Sequence, residues 1–228
     1  MQKHSIKYIF ILVFILLTPQ NKSFAQGNLP FADDKPVHFG FSLGVNFMDF
    51  AVIPTNYENN VNVSSLIPGF SVGAISDFRL SKNLNFRITP TLMLNQRILN
   101  YMDESKADLL SVPMYIPFYL KYSSVRTGNF RPYLIGGAGF WMDWGRNKEK
   151  TVLLKPFDVL VEAGIGTNIY FSFFKLAPEI KFAFGFNNML TPLNQRDAGA
   201  LLNPQTILHT ESINKLTTRM VTLTFHFE

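Results

Sequence analysis

Along this chain, stretches of about ten residues alternate between large apolar side chains and small or polar ones, and this period of two constrains the fold more than any other feature. Between His38 and Phe47 the odd positions are Phe39, Phe41, Leu43, Val45 and Phe47, while His38, Gly40, Ser42, Gly44 and Asn46 fill the even ones. Gly69–Leu80 sets Phe70, Val72, Ala74 and Phe78 against Ser71, Gly73, Asp77 and Arg79, and Leu84–Asn95 sets Phe86, Ile88, Leu92 and Leu94 against Arg87, Thr89 and Thr91. The same sorting holds over Leu110–Tyr122, Asp158–Phe171, Lys175–Asn187 and from Thr218 to Glu228. In a fifth position along the chain, Arg131–Trp144 also reads as a strand, but Gly136, Gly137 and Gly139 blur its register and suggest a kink or bulge. Eight strands are expected.

Which solvent the apolar face meets follows from where the chain goes. Lys3 and Lys7 precede an apolar run from Tyr8 to Leu17, and Ser23-Phe24-Ala25 before Gln26 has the small-x-Ala form of a signal-peptidase site. That run is too short to span a bilayer, which takes about 20 apolar residues. Residues 1–25 are therefore expected to be a cleaved secretory signal, with a periplasmic tail over 26–36 and a barrel over 37–228. Three of the 21 Lys and Arg lie in the signal, so the rest of the chain sets 18 basic groups against 16 acidic ones, a net +2 instead of +5. A nucleic-acid partner loses its support with that excess. The absence of cysteine excludes disulfides, thiolate metal sites and Cys nucleophiles.

No later segment is apolar for long enough to cross a membrane as a helix, and only 16 % of residues are charged, against about 25 % in an average soluble domain. The remaining spanning solution is a closed β-barrel with its apolar face toward lipid. Connection lengths agree: 81–83, 123–129 and 172–174 are short, whereas 48–68, 96–109, 145–157 and 188–217 are long. Short periplasmic turns and long external loops are the habit of outer-membrane barrels, and an even strand number brings both ends to the periplasmic side. The expected fold is thus all-β, an eight-stranded antiparallel transmembrane barrel in the outer membrane. A soluble lipocalin-type barrel would use the same alternation with its apolar face inward. Its outside would be dense in Lys and Glu, whereas the polar face here is mostly Gly, Ser, Thr and Asn.

An eight-stranded barrel is filled by its own side chains. The charges on the inferred lumen side, Asp77, Arg79, Arg87, Lys121, Glu162, Glu179 and Lys181, are expected to pair with one another as a structural plug. Trp141, Trp144, Tyr122, Tyr133 and Tyr170 lie near predicted strand ends and are assigned to interfacial aromatic girdles. His38 and His226 fall on the lumen face of the first and last strands, which closure makes neighbours, so the two rings are placed together at the periplasmic rim. Without a third ligand they make a poor metal site. The last long loop holds His209, Thr210, Glu211 and Ser212, a set that only folding could arrange as nucleophile and base. No phosphate loop or paired-carboxylate motif is present, so no catalytic residue, cofactor, metal or small-molecule substrate is assigned.

Particular segments resemble the PorT family of Bacteroidota outer-membrane barrels. They are Lys35-Pro36-Val37-His38-Phe39-Gly40-Phe41, Ile116-Pro117-Phe118-Tyr119-Leu120-Lys121-Tyr122, Arg131-Pro132-Tyr133, and Phe174-Lys175-Leu176-Ala177-Pro178-Glu179-Ile180-Lys181-Phe182. The first and last are the more telling; the middle two are shared by a wider group of such barrels. Where relatives often carry an acid before the Ile-Pro, this chain has Tyr115, so Lys121 finds no carboxylate there on its own strand. The resemblance implies a non-enzymatic component of the type IX secretion system. Such a component acts in the outer-membrane lipid by contacts with other secretion components, and gliding motility is a linked process. The alternatives are a hydrolase or acyltransferase acting on lipid A, and a generic structural or adhesive barrel.

Overall fold

In the computed structural model, residues 28–55, 62–63, 67–101, 106–144, 151–197, 199 and 202–228 are described. The expected signal over 1–25 lies outside them. The strands are β1 (Val37–Pro54), β2 (Asn62–Val63), β3 (Pro68–Arg79), β4 (Leu84–Ile88), β5 (Thr91–Asn100), β6 (Lys106–Ser111), β7 (Pro113–Ser123), β8 (Phe130–Asp143), β9 (Phe157–Tyr170), β10 (Lys175–Gly185) and β11 (Ile213–Phe227). The short helix α1 (Pro204–Glu211) is capped by Asn203, whose side chain accepts from the Gln205 amide.

Eight staves close the barrel, because two pairs of strands are single staves interrupted once. β4 and β5 share one register against β3, with Ser76 opposite Ile88 and Gly73 opposite Thr91. The break falls at Pro90, which has no N–H to give the ladder. β6 and β7 likewise run on across Val112, with Asn95 opposite Ser111 and Thr91 opposite Tyr115. Every neighbouring pair is antiparallel, and the ring shuts where β1 pairs with both β11 and β3. The two-residue β2 adds to the outer end of β5.

Register in the glycine-rich stave is continuous. β8 faces β7 from Pro113↔Asp143 to Ser123↔Tyr133 and β9 from Phe130↔Ile169 to Met142↔Phe157, with no bulge. Gly139 of this stave, and Gly166 of β9 beside it, serve packing instead. A Cβ on Gly139 would sit 2.6 Å from the Tyr115 ring, and one on Gly166 would sit 2.4 Å from the Tyr133 ring. Each glycine is the slot into which a neighbouring tyrosine lies flat against the wall.

Outward positions are apolar and exposed around the whole ring: Phe39, Phe41, Leu43, Phe70, Val72, Leu92, Leu120, Leu134, Phe140, Ile165, Phe182, Phe184, Leu223 and Phe225 among them. On β1 this band runs from Phe39 to Phe47 and ends at Asp49, which pairs with Arg219 at 2.6 Å on the outer surface. At about 3.4 Å per residue and a tilt near 40°, eight residues rise about 21 Å, close to the roughly 25 Å apolar band of such barrels.

Several staves continue past that level, so the long connections 48–68, 96–109 and 188–217 are shorter than the alternation suggests: β1 reaches Pro54, β5 reaches Asn100 and β11 starts at Ile213. Above Asp49 the polarity inverts. Phe50, Leu99, Tyr101, Leu109 and Leu216 point inward and pack with Val152, Leu154, Met189 and Leu190 into an apolar cap, while Gln96, Lys215 and Arg219 point outward. There most of the wall follows the soluble rule, although Ile53 still faces outward.

The candidate functional site: a charged interior and its latched rim

The interior is layered from the cap to the short-turn end. Below the cap, the Arg97 guanidinium lies 4.1 Å from the centre of the Phe50 ring and donates to Ser111 Oγ at 3.2 Å; Ser111 in turn donates to Asp143. Next comes a belt of Met48, Met93, Tyr115, Trp141, Leu160 and Met220. Beneath it lies the charged network.

Asp77 is the first centre of that network. Arg87 faces it across the β3–β4 hairpin and donates to its Oδ2 from Nε at 3.0 Å and Nη2 at 2.7 Å. Asn85 donates to Oδ1 at 2.6 Å, and Lys121 Nζ lies 3.3 Å from Oδ2. The partner that Lys121 lacks on its own strand thus comes from β3. Glu179 is the second centre. Its Oε2 accepts from Tyr133 at 2.8 Å and from Arg87 Nη1 at 3.3 Å, while Oε1 meets Lys181 Nζ at 2.8 Å and lies 3.3 Å from His226 Nε2. Glu162 joins through the Tyr119 hydroxyl, which donates to it, and Lys181 lies 4.9 Å over the Tyr119 ring. Alternation alone did not reveal a fourth carboxylate, Glu228, which takes Arg87 at 3.1 Å and Lys175 at 2.6 Å.

Asp77, Glu179 and Glu228 each meet at least two cationic side chains, and Glu162 is held by the Tyr119 hydroxyl, which is how charge is kept away from water. The space left among Ser42, Thr91, Tyr119, Glu162, Lys181 and Thr224 is about 20 Å³, room for a single water. Among the described residues, no three His, Asp or Glu side chains are grouped to hold a metal ion.

Six of the seven expected lumen charges join the interior. Arg79 does not: the last residue of β3, it turns to Asp34 of the tail at 3.1 Å. The two histidines are also apart. His226 is opposite Ser42, four residues along β1 from His38, and is buried beside Glu179, whereas His38 Nε2 donates to the Ala32 carbonyl at 2.6 Å. The strands are neighbours, but stagger carries their ends past one another.

The girdle assignment needs correcting for three residues. Tyr122 and Trp144 do face outward, exposed at 58 % and 71 %. Trp141, Tyr133 and Tyr170 are buried inside. Trp141 and Tyr133 follow the parity of β8, whose odd positions point inward and whose glycines carry no side chain to show it, and Tyr170 follows that of β9, whose buried positions are the even ones. At the short-turn end the outer girdle is built of phenylalanine instead, stacked as Phe41–Phe227 at 4.9 Å, Phe227–Phe174 at 6.3 Å and Phe174–Phe171 at 4.8 Å.

At the same end, residues 28–36 cross the rim. The Asn28 amide donates to Asn129 Oδ1 at 2.9 Å, and its side chain donates to the Tyr170 carbonyl at 3.1 Å. Arg126 stacks 3.7 Å over the Tyr170 ring and donates to the carbonyls of Asn28 and Leu29. Asp33 accepts from the Tyr170 hydroxyl at 2.5 Å and pairs with Arg131 at 3.1 Å. Arg131 is itself oriented by the carbonyls of Ser124 and Lys82.

The members of the candidate loop set are occupied otherwise. Ser212 Oγ donates to the Leu208 carbonyl at 2.6 Å within the C-terminal turn of α1, and the His209 ring stacks on Tyr101 at 3.8 Å.

A closed eight-stave ring, apolar outside over one membrane thickness and filled with paired charge inside, defines a small outer-membrane β-barrel. Residues 24–191 match the family described as outer membrane protein beta-barrel domain, and the chain belongs to that family. The protein resides in the outer membrane. Among solved structures it is similar to the crystal structure of OprG from Pseudomonas aeruginosa, at 9 % identity and a TM-score of 0.46, over 84 % of this chain and 91 % of that one. It is also similar to the solid-state NMR structure of AlkL in DMPC bilayers, at 9 % identity and a TM-score of 0.38, over 92 % and 95 % of the two chains. No curated protein sequence matches.

Proposed function

We propose that this barrel is a non-enzymatic, PorT-like component of the type IX secretion system, acting by protein contacts at its rims. One observation carries the reading: each segment that resembles the PorT family contributes side chains to the interior or to the latched rim. Lys175, Glu179 and Lys181 come from one segment, Lys121 and Tyr119 from another, Arg131 and Tyr133 from a third, and His38 from the first. A filled lumen suits a protein whose work lies outside its own barrel. Deletion of the gene, with complementation, tests the reading by the export of proteins that bear the C-terminal sorting domain. Their retention in the cells is the expected result, and unchanged secretion would remove the type IX assignment while leaving the barrel intact.

A further inference from the structure

The contacts that hold residues 28–36 at the rim go to main chain, one amide side chain and one carboxylate. Asn129 and the Tyr170 carbonyl bind one residue's amide and side chain, Arg126 gathers two successive carbonyls, His38 takes a third, and Arg131 with the Tyr170 hydroxyl clamps a carboxylate. All of these groups belong to the barrel wall or its turns, and what they recognise is main chain plus one acid at a fixed spacing.

The occupant, by contrast, is loosely built. None of residues 28–36 is buried, and Phe31 is 75 % exposed. No apolar side chain anchors the strap, so the hydrophobic term that fixes most docked segments is missing. Of its acids, Asp34 is 69 % exposed in its side chain, where a single ion pair contributes little, so the ionic hold on the strap rests on Asp33, 24 % exposed, with Arg131 and the Tyr170 hydroxyl. Leu29 holds a left-handed φ of 51°, a strained conformation for a residue with a Cβ. Beneath it, Tyr170 and Arg131 are almost wholly buried. A well-ordered site is therefore covered by a weakly held segment.

We propose that the periplasmic rim is a binding site for a short acidic segment of another polypeptide that folds into a turn, as residues 28–36 do through a 3-10 turn at Ala32–Asp34, and that the chain's own residues 28–36 occupy it as a displaceable internal competitor. The site would read a carboxylate through Arg131 and Tyr170, and the backbone four to five residues before it through Arg126 and Asn129. Because the strap is tethered, it competes at a high effective concentration, so an external segment binds visibly only when it is better suited or when the strap is weakened. The inference does not depend on the secretion role.

Fluorescence anisotropy with a labelled peptide of the sequence Asn28–Pro36 tests it on the full chain in detergent micelles. The D33N/D34N substitution weakens the strap without touching the receptor, and we expect it to bind the peptide at least tenfold more tightly than the parent. A peptide carrying Asn in place of its first Asp should lose that gain, and adding R131A to the substituted chain should abolish it. Equal affinity of parent and D33N/D34N chains, or binding that survives R131A, would overturn the proposal. Heat-modifiable electrophoretic mobility reports whether each variant is folded. If D33N/D34N fails to fold, F31C supplies the only thiol in the chain for a spin label. Added peptide should then increase the label's mobility on the otherwise unchanged protein, and unaltered mobility at millimolar peptide would refute displacement.

Discussion

Arg87 stands directly opposite Asp77 in the β3–β4 ladder and gives one carboxylate oxygen, Oδ2, two hydrogen bonds. The same guanidinium reaches Glu179 and Glu228, which come from the far side of the ring. One side chain therefore ties the second stave to the last two, and does so at the level where the barrel closes.

The two partners should not be equally costly to lose. Asp77→Ala leaves Arg87 with two other carboxylates and Lys121 with Asn168, whereas Arg87→Ala leaves three buried acids competing for Lys121, Lys175 and Lys181. Removing one member of a buried pair typically costs about 3–5 kcal/mol. We expect Arg87→Ala to reach or exceed that range and Asp77→Ala to fall below it, measured by urea unfolding of the barrel in lipid vesicles. A smaller loss for Arg87→Ala than for Asp77→Ala would show that the network is not centred on the guanidinium.

The glycine slots predict a coupled pair. Gly166→Ala places a methyl group inside contact distance of the Tyr133 ring, and overpacking of this kind costs about 1–3 kcal/mol. Tyr133→Leu alone loses the hydrogen bond to Glu179. In the double variant the alanine should cost almost nothing further, so a double-mutant cycle gives a coupling of at least about 1 kcal/mol. Additive effects would mean that the wall yields at Gly166 and that the slot is not a constraint.

How much of this could be read beforehand depends on which residue is asked about. Leu43, Phe70 and Phe182 declare themselves, because in the band the outward residue is large and apolar while the inward one is small or charged. Arg97, Leu99 and Tyr101 do not, because past Asp49 the wall leaves the lipid and inside becomes the apolar side; a rule keyed to lipid ends the strand there. Trp141 follows the parity of Arg131, yet the run of glycines between them hides it. Glu228 and Asp33 are invisible for a different reason. Their partners, Lys175 and Arg131, are 53 and 98 residues away and are brought close only by ring closure and by the path of the strap.

Inversion of polarity at Asp49–Arg219 fixes the outer edge of the membrane, which arginine substitutions can locate. Leu43 is near the middle of the apolar band on β1, and arginine at the midplane of such a barrel costs about 2–4 kcal/mol. Thr217 also faces outward, two residues beyond Arg219, opposite Ala51. Thr217→Arg is expected to cost no more than about 1 kcal/mol in the same vesicle assay. Comparable penalties at both sites would place hydrocarbon above the ion pair and invalidate the assigned boundary.

His209 and Ser212 separate the contact-based role from a catalytic one. His209→Ala removes the stack on Tyr101, worth about 0.5–1.5 kcal/mol, and Ser212→Ala removes a hydrogen bond to Leu208 worth about 1 kcal/mol. Both losses fall in the external cap, away from the charged network, so each variant should fold, reach the outer membrane and support export at the parental level. A catalytic histidine or serine behaves differently: its removal abolishes function while leaving the fold and its unfolding midpoint nearly untouched. Export assayed beside urea unfolding for the two variants distinguishes the cases. Loss of export in a His209→Ala protein of parental abundance and near-parental midpoint would replace the contact-based role with an enzymatic one centred on α1.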